Sequence, residues 1–525
     1  MRFSALVILA LAATLLSLAA QPNGSSSKNI IHRAPAKQSA RSQPAAPPKH
    51  PELAQQRTAK PPEHPELVEG RDGGGKPGKH APTSFVLLYT ASADGQIRSC
   101  NCTKFRFGGY GRELTLLDSI RPKVPDCLLI EGGDVCGDTG FQAELKAKVS
   151  AQALDLLGYG LIVPGEKELG VRGVRYTDQF KTKTAPLLCA NVFGAGESKP
   201  RFRPYIILKT SGGLRVAVIG LVARSVCEPW LQTSFGEVVK EPSHVLPPII
   251  KQLRPKADLV VVVYHGIVTP TSDLARVSGI DLILATHRHN QDRLFPSKES
   301  NIVSAPVGKL GSAVLINSET STNWCLGRVD VQLGPGKKIK SAKHELFYLD
   351  RSYEEAPAMV KIYDIYNEDV KNAVIASSAA FKKQAEAMLT KRGLNLVQMR
   401  QRLRKSTYAT SAKCADCHSE ISAIYADSRH AHAMATLEKT HQEFDPECIR
   451  CHTTGSMTRG GFTNAKDTPE LGNVQCEACH GPAADHVAAP AKGFGKVTEE
   501  TCRSCHTDER TPDFDYAAAW AKIMH

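Results

Sequence analysis

The sequence spells Cys-x-x-Cys-His four times towards its C-terminal end: Cys414 to His418, Cys448 to His452, Cys476 to His480 and Cys502 to His506. Two thiols three positions apart can add across the two vinyl groups of one porphyrin. A His directly after the second thiol is then held beneath the ring, where its imidazole ligates iron. Zinc sites also use Cys-x-x-Cys pairs, but zinc does not require a His after every second thiol. The motifs therefore predict four covalently bound haem c groups. Their attachment points are Cys414, Cys417, Cys448, Cys451, Cys476, Cys479, Cys502 and Cys505, and their proximal ligands are His418, His452, His480 and His506. Five other histidines, His430, His432, His441, His486 and His525, are the distal candidates. His430 and His432 are too close in sequence to serve different irons easily, so the spacing favours one of them together with His486 and His525. Met434, Met457 and Met524 are weak substitutes on a remaining haem.

The elements that must position these groups begin with MRFSALVILALAATLLSLAAQ. A basic Arg2, an apolar run from Ala5 to Ala20 and a small-residue end read as a cleaved secretory signal over 1–20. The run is shorter than the roughly 20 residues that span a bilayer, and no later run is apolar enough to do so. The expectation is an exported protein of the bacterial periplasm with no membrane span. Of 15 Cys, eight lie in the motifs. Cys100, Cys102, Cys127, Cys136, Cys189, Cys227 and Cys325 form an odd remainder that allows up to three disulfides. The net charge of +13 does not predict nucleic-acid binding. The stretch 21–82 has an excess of Lys and Arg, and haem propionates would offset much of the rest.

Residues 21–82 are rich in Pro, Ala, Ser, Lys and Gln and repeat KHPEL as EHPEL, the composition of a disordered linker. Residues 83–350 alternate apolar runs (SFVLLYT, CLLIEGGD, LIVPGE, PLLCANV, RVAVIGLV, DLVVVVYHG, IDLILATH, IVSAPVG) with helical stretches, an α/β pattern. Residues 351–407 read as a helical connector broken at Gly393, and 408–525 as the haem block.

The strand-end order EGGD, GEKE, YHG and THRH resembles the calcineurin-like metallophosphoesterases, in particular their 5′-nucleotidase branch. The resemblance implies a four-layer sandwich of two sheets between helices, holding two metal ions that activate water. Carried over by position, it implies metal ligation by Asp134, His265, His287 and His289. The opening Asp-x-His motif of that family falls on Ser92-Ala93-Asp94, and its Asn-His pair falls on Glu166-Lys167, with Gly165 and Glu168 kept. Asp94 and Glu166 are thus replacement ligands, and Lys167 stands where the family has a catalytic His. The resemblance leaves room for one or two divalent ions (Mn, Zn or Fe) and no assigned catalytic residue. Cys100 and Cys102, in SCNCTKFRFGGYGRE, are spaced for thiol redox chemistry or a soft metal, or are structural thiols. The nucleobase-binding C-terminal domain of true 5′-nucleotidases has no counterpart here.

Residues 408–525 resemble the tetrahaem cytochromes of the cytochrome c-554 type, on YATSAKCADCH, SRHAHA, FDPECIRCHTTG, VQCEACHGPAADH and WAKIMH. This implies a mainly α, haem-packed domain with stacked haem pairs. The sequence as a whole predicts periplasmic electron transfer between redox partner proteins. The alternatives are a metal-dependent phosphoesterase with an appended cytochrome, and an oxidoreductase acting on a small oxyanion.

Overall fold

The computed structural model describes Glu66–Leu67 and residues 84–525 apart from 100–106, 125–126, 138, 171–172, 178, 288–295, 298–299, 319–323, 392, 394–407, 457, 508–509 and 512–513. The segment read as a signal, and all of the 21–82 linker but Glu66–Leu67, lie outside the described residues. The latter fall in one unit, His64–His525.

Among the described residues, two large sheets organise the front block. The six-stranded sheet runs Ile302–Ala305, Ile339–Tyr348, Cys325–Leu333, Ser84–Thr90, Cys127–Glu131, Leu161–Ile162. The seven-stranded sheet runs Glu66–Leu67, Tyr205–Lys209, Arg215–Val222, Leu259–His265, Leu282–Ala285, Ala313–Asn317, Gly308–Leu310. The strands that read as unbroken Val, Ile and Leu runs lie at the centre and pair in parallel: Arg215–Val222 with Leu259–His265, and that strand with Leu282–Ala285. Ser84–Thr90, Cys127–Glu131 and Leu161–Ile162 also pair in parallel in the other sheet, with Leu161–Ile162 at its edge. Such strands can be apolar on both faces because both are covered. Leu87, Ile130, Val218, Val261 and Leu284 share one cluster, so the two sheets face each other across a common core. On its other face the six-stranded sheet packs Leu88 and Leu129 against the helices Tyr110–Ile120 and Phe141–Leu157. The seven-stranded sheet packs Val260 and Val262 against Pro242–Leu253.

The stretch read as a connector is more than that. Pro357–Lys391 is one long helix, and Met359, Ile362, Tyr363, Tyr366 and Val370 bury in the same cluster as the front-block helices. Tyr363 Oη donates to the carbonyl of Ile97 at 2.9 Å and accepts from the amide of Gly111 at 2.9 Å. The three- and four-residue spacing marks this apolar face. Its partner surface, more than 200 positions upstream, leaves no mark in the local pattern.

From Tyr408 the chain is a set of short helices with a small apolar cluster of Met434, Leu437, Ile449, Phe462 and Leu471. Polar contacts hold this block to the rest. Gln142 Nε2 donates to Asp445 at 2.6 Å and Lys146 Nζ to Glu447 at 2.7 Å. Asn367 donates to the carbonyl of Thr440, and Ser378 and Lys382 both engage Asp467.

Candidate haem and metal centres

Each Cys-x-x-Cys-His motif makes about one helical turn. The amide of His418 donates to the carbonyl of Cys414, and that of His506 to Cys502, both at 2.9 Å. The second and third motifs lie on Pro446–His452 and Cys476–His480. One turn brings residues i, i+3 and i+4 to one face, which is what two thioethers and an axial imidazole on one porphyrin require. Asp445 caps the second motif's helix by accepting from the Glu447 amide at 2.8 Å, with Pro446 at the first helical position. All eight motif cysteines are unbridged thiols. Cys414 lies beside Cys476, and Cys451 beside Cys505, so the first and third motifs are neighbours, as are the second and fourth.

Three of the motif imidazoles have Nδ1 set against an oxygen. His452 Nδ1 donates to the carbonyl of Ala433 at 2.7 Å, and His480 Nδ1 to that of Gly495 at 2.6 Å. His506 Nδ1 faces Thr511 Oγ1 at 3.3 Å. Tying Nδ1 to an oxygen leaves Nε2 as the ligand atom. Two distal candidates stand opposite motif histidines, with ring centres 6.2 Å apart for His430 and His506 and 5.7 Å for His480 and His525. A metal–imidazole bond of about 2 Å on either side of one ion sets ring centres roughly 6 Å apart, so both pairs fit an iron between them. Burial pushes the imidazoles of His430 and His506 below the usual range, towards the neutral form that ligates.

The remaining candidates are placed differently. His486 stacks on Phe494 with ring centres 4.5 Å apart. His432 and His441 are exposed, as His525 is, but lie outside the two imidazole pairs. Met434 is buried in the apolar cluster, Met524 is exposed, and Met457 lies outside the described residues. Glu477 was not anticipated. Although it sits between two haem thiols, it is buried and accepts from the amides of Ala409, Thr410 and Ala483, each at 2.7 Å. The sequence signals this only as an acid inside a motif, which reads equally well as solvated.

In the front block, Asp134, Glu166, His265 and His287 follow or end successive parallel strands, where open α/β sheets place their ligands. One donor atom from each lies within 4.8 Å of all the others. His265, fully buried, donates from Nδ1 to the carbonyl of Gly132 at 2.8 Å. Its Nε2 then faces Glu166 Oε2 at 2.9 Å, Asp134 Oδ2 at 3.5 Å and His287 Nδ1 at 3.2 Å. The other Asp134 oxygen, Oδ1, accepts from the amide of Lys167 at 3.2 Å. Glu168 accepts from the amides of Asp134, Cys136 and Gly165 at 2.7–2.9 Å and so pins the two loops together. Lys167 Nζ pairs with Asp94 Oδ1 at 2.8 Å.

The backbone is strained here. Ser92, Asp94 and Asp134 have φ of 55°, 51° and 57°, a conformation that non-glycine residues adopt at a cost and that clusters at functional sites. A Cβ on Gly165 would come within 2.2 Å of Asp134 Oδ1, so only glycine admits this approach.

Burial pushes the Asp134 carboxyl up to about 7. Burial also opposes ionisation of Glu166, but the hydrogen bond and charge of His265 overcome it and hold that carboxyl down at about 2. Burial likewise works against a charged His265, yet Asp134 and Glu166 raise it well above the usual range. A cation is thus favoured among these groups. Two imidazoles and two carboxylates suit Mn, Fe or Zn rather than Mg or Ca, so the residues fit the ion that the sequence implies. Asp94 lies beside the cluster and is held by Lys167, while His289, Cys100 and Cys102 lie outside the described residues. Behind the site runs a buried chain: Glu113 to Tyr159, Tyr159 to Thr90 and Thr90 to Glu131, each at 2.5 Å. Burial pushes the two carboxyls up to about 7 and about 8.

A family model described as "Cytochrome c554 and c-prime" matches residues 413–481. Cytochrome c-554 of Nitrosomonas europaea is 30% identical over 129 residues, covering 18% of this chain and 55% of that protein. Protein UshA of Yersinia enterocolitica is 28% identical over 166 residues, 30% of each chain. Among solved structures, a 5′-nucleotidase precursor from Thermus thermophilus aligns over 55% of this chain and 59% of its own, at 19% identity and a TM-score of 0.47. The chain thus spans about half of the cytochrome and less than a third of UshA. Haem c is implied by the first similarity, and a phosphoesterase-like block by the second. The chain is thus similar to cytochrome c-554 in its C-terminal part and, separately, to UshA over 30% of its length.

Proposed function

We propose that the chain is a periplasmic electron carrier that moves single electrons through four covalently bound haems between a donor and an acceptor protein. The domains of this reading are the signal 1–20, a linker over 21–82, the phosphoesterase-like block 83–350 as a four-layer sandwich, the helical segment 351–407 and the haem block 408–525. The observation that carries it is the pairing of imidazoles: a second histidine faces the motif histidine of two motifs at the separation one iron requires. Bound haem supplies one-electron chemistry at iron. The protein's part is to fix each porphyrin through two thiols, to set the axial imidazole through its Nδ1–H, and to supply second imidazoles. The test is intact mass and haem staining of the exported protein, which should give about four haem masses of roughly 616 Da on one chain, followed by a potentiometric titration of the haem bands. Fewer than three haems would overturn the reading.

The front block in this proposal is not a working phosphoesterase. Lys167 and Ser92 stand where the related enzymes carry a catalytic His and a ligand, and Lys167 is engaged with Asp94. A coupled role, in which a small oxyanion at the front block exchanges electrons with the haems, is favoured by one further contact. The helix of the second haem motif is docked directly on Gln142 and Lys146 of the front block.

A further inference from the structure

The donors of the front cluster are arranged around one point. Asp134 offers Oδ2 there, together with Glu166, His265 and His287, and these atoms lie within 4.8 Å of one another. Asp134 Oδ1 accepts from the amide of Lys167 at 3.2 Å, a backbone contact that any non-proline residue at 167 keeps and that leaves the oxygen a second lone pair. The nearest further carboxylate on the adjoining loop is Asp94, whose amide donates to the Asp134 carbonyl at 2.8 Å. Asp94 is spoken for, because Lys167 Nζ sits on its Oδ1 at 2.8 Å. Lys167 therefore places its ammonium where a neighbouring cation would have to sit to use Asp94. The charges match in the same way. Two carboxylates face the four-donor point and balance one dication, Asp94 is balanced by Lys167, and Glu168 is satisfied by three backbone amides.

We propose that this cluster takes up a single transition-metal dication, held by Asp134, Glu166, His265 and His287, and that Lys167 supplies the second positive charge from within the chain, so that no second ion is bound. The inference concerns the front block alone, and the haem content of the same samples reports separately on the electron-transfer reading.

Manganese is the probe, because haem iron does not interfere with its count and its spectrum tells isolated from coupled ions. The full-length, haem-loaded protein is stripped with chelator, equilibrated with Mn(II), desalted, and analysed for metal and by EPR. The expected result is one Mn per chain with the six-line spectrum of an isolated ion. His287→Ala should weaken Mn binding more than tenfold, since loss of a ligand exceeds the effect of losing an outer-shell partner. Lys167→Met should raise the uptake towards two Mn per chain, with an exchange-coupled spectrum, while Lys167→Arg, which keeps the charge and checks the fold, should stay at one. A native protein that binds two ions or none overturns the proposal. So does a folded Lys167→Met protein that still stops at one.

Discussion

Lys146 Nζ lies 2.7 Å from each carboxylate oxygen of Glu447, the residue immediately before the haem thiol Cys448. The ammonium is nearly buried and the carboxylate half exposed, with side-chain exposures of 11% and 50%. The second haem motif is therefore clamped to the helix Phe141–Leu157 through a charge pair whose cationic side has little water to fall back on.

Lys146→Met should loosen this docking without changing haem content. With Glu447 half solvated, the loss is expected at about 1 kcal/mol. Amide exchange should quicken several-fold in Pro446–His452 and in the facing turns of Phe141–Leu157. Unchanged exchange in both would mean that the pair contributes nothing to docking.

The imidazole pairs make a spectroscopic prediction. His430→Ala and His525→Ala should each convert one haem from six- to five-coordinate, so that roughly one quarter of the haem becomes high-spin by EPR. His441→Ala, outside both imidazole pairs, should leave the spectrum as it was.

Glu113 makes a prediction about pH. Its folded carboxyl titrates at about 7 against a usual 4.5, chiefly through burial. Because the folded value is the raised one, its stabilisation is present below about 4.5 and is lost as pH rises through about 7. Glu113→Gln keeps an acceptor for Tyr159 and removes the penalty. At pH 8 it should stabilise the front block by up to about 3 kcal/mol, and at pH 4 by little. Thermal melts of the two proteins at both pH values measure this, and equal melting temperatures at pH 8 would refute it.

Turnover of simple phosphate esters and nucleotides should fall at least about a hundredfold below that of a competent phosphoesterase, even with added Mn or Zn. Ordinary turnover that disappears in His287→Ala would put the hydrolase first.

Much of this was legible because each of the front-block motifs follows a short apolar run of the kind that a buried strand shows. EGGD, GEKE, YHG and the opening of THRH all sit at strand ends, which put Asp134, Glu166, His265 and His287 among the candidates, and the structure brings these four together. The pairing of Lys167 with Asp94 was not legible, since it depends on backbone turns at Ser92 and Asp94 with positive φ that no local pattern demanded. Counting histidines narrowed the distal ligands, but the 3₁₀ turn Arg429–His432 sets which of His430 and His432 faces His506. The docking face was hidden for a different reason. Gln142 and Lys146 belong to a helix whose sequence gives no sign of a distant partner, and only the folded chain reveals them as 8% exposed.

Gln142 and Asp445 bond across 303 positions. In the exported chain of this proposal the front block emerges from the membrane before the haem block, and domains generally fold as units, N-terminal first. Its waiting surface is an amide and an ammonium, not an apolar scar, so the half-made chain offers little for another half-made chain to stick to. The contact that closes last in the life of this molecule is one that water can hold open until then.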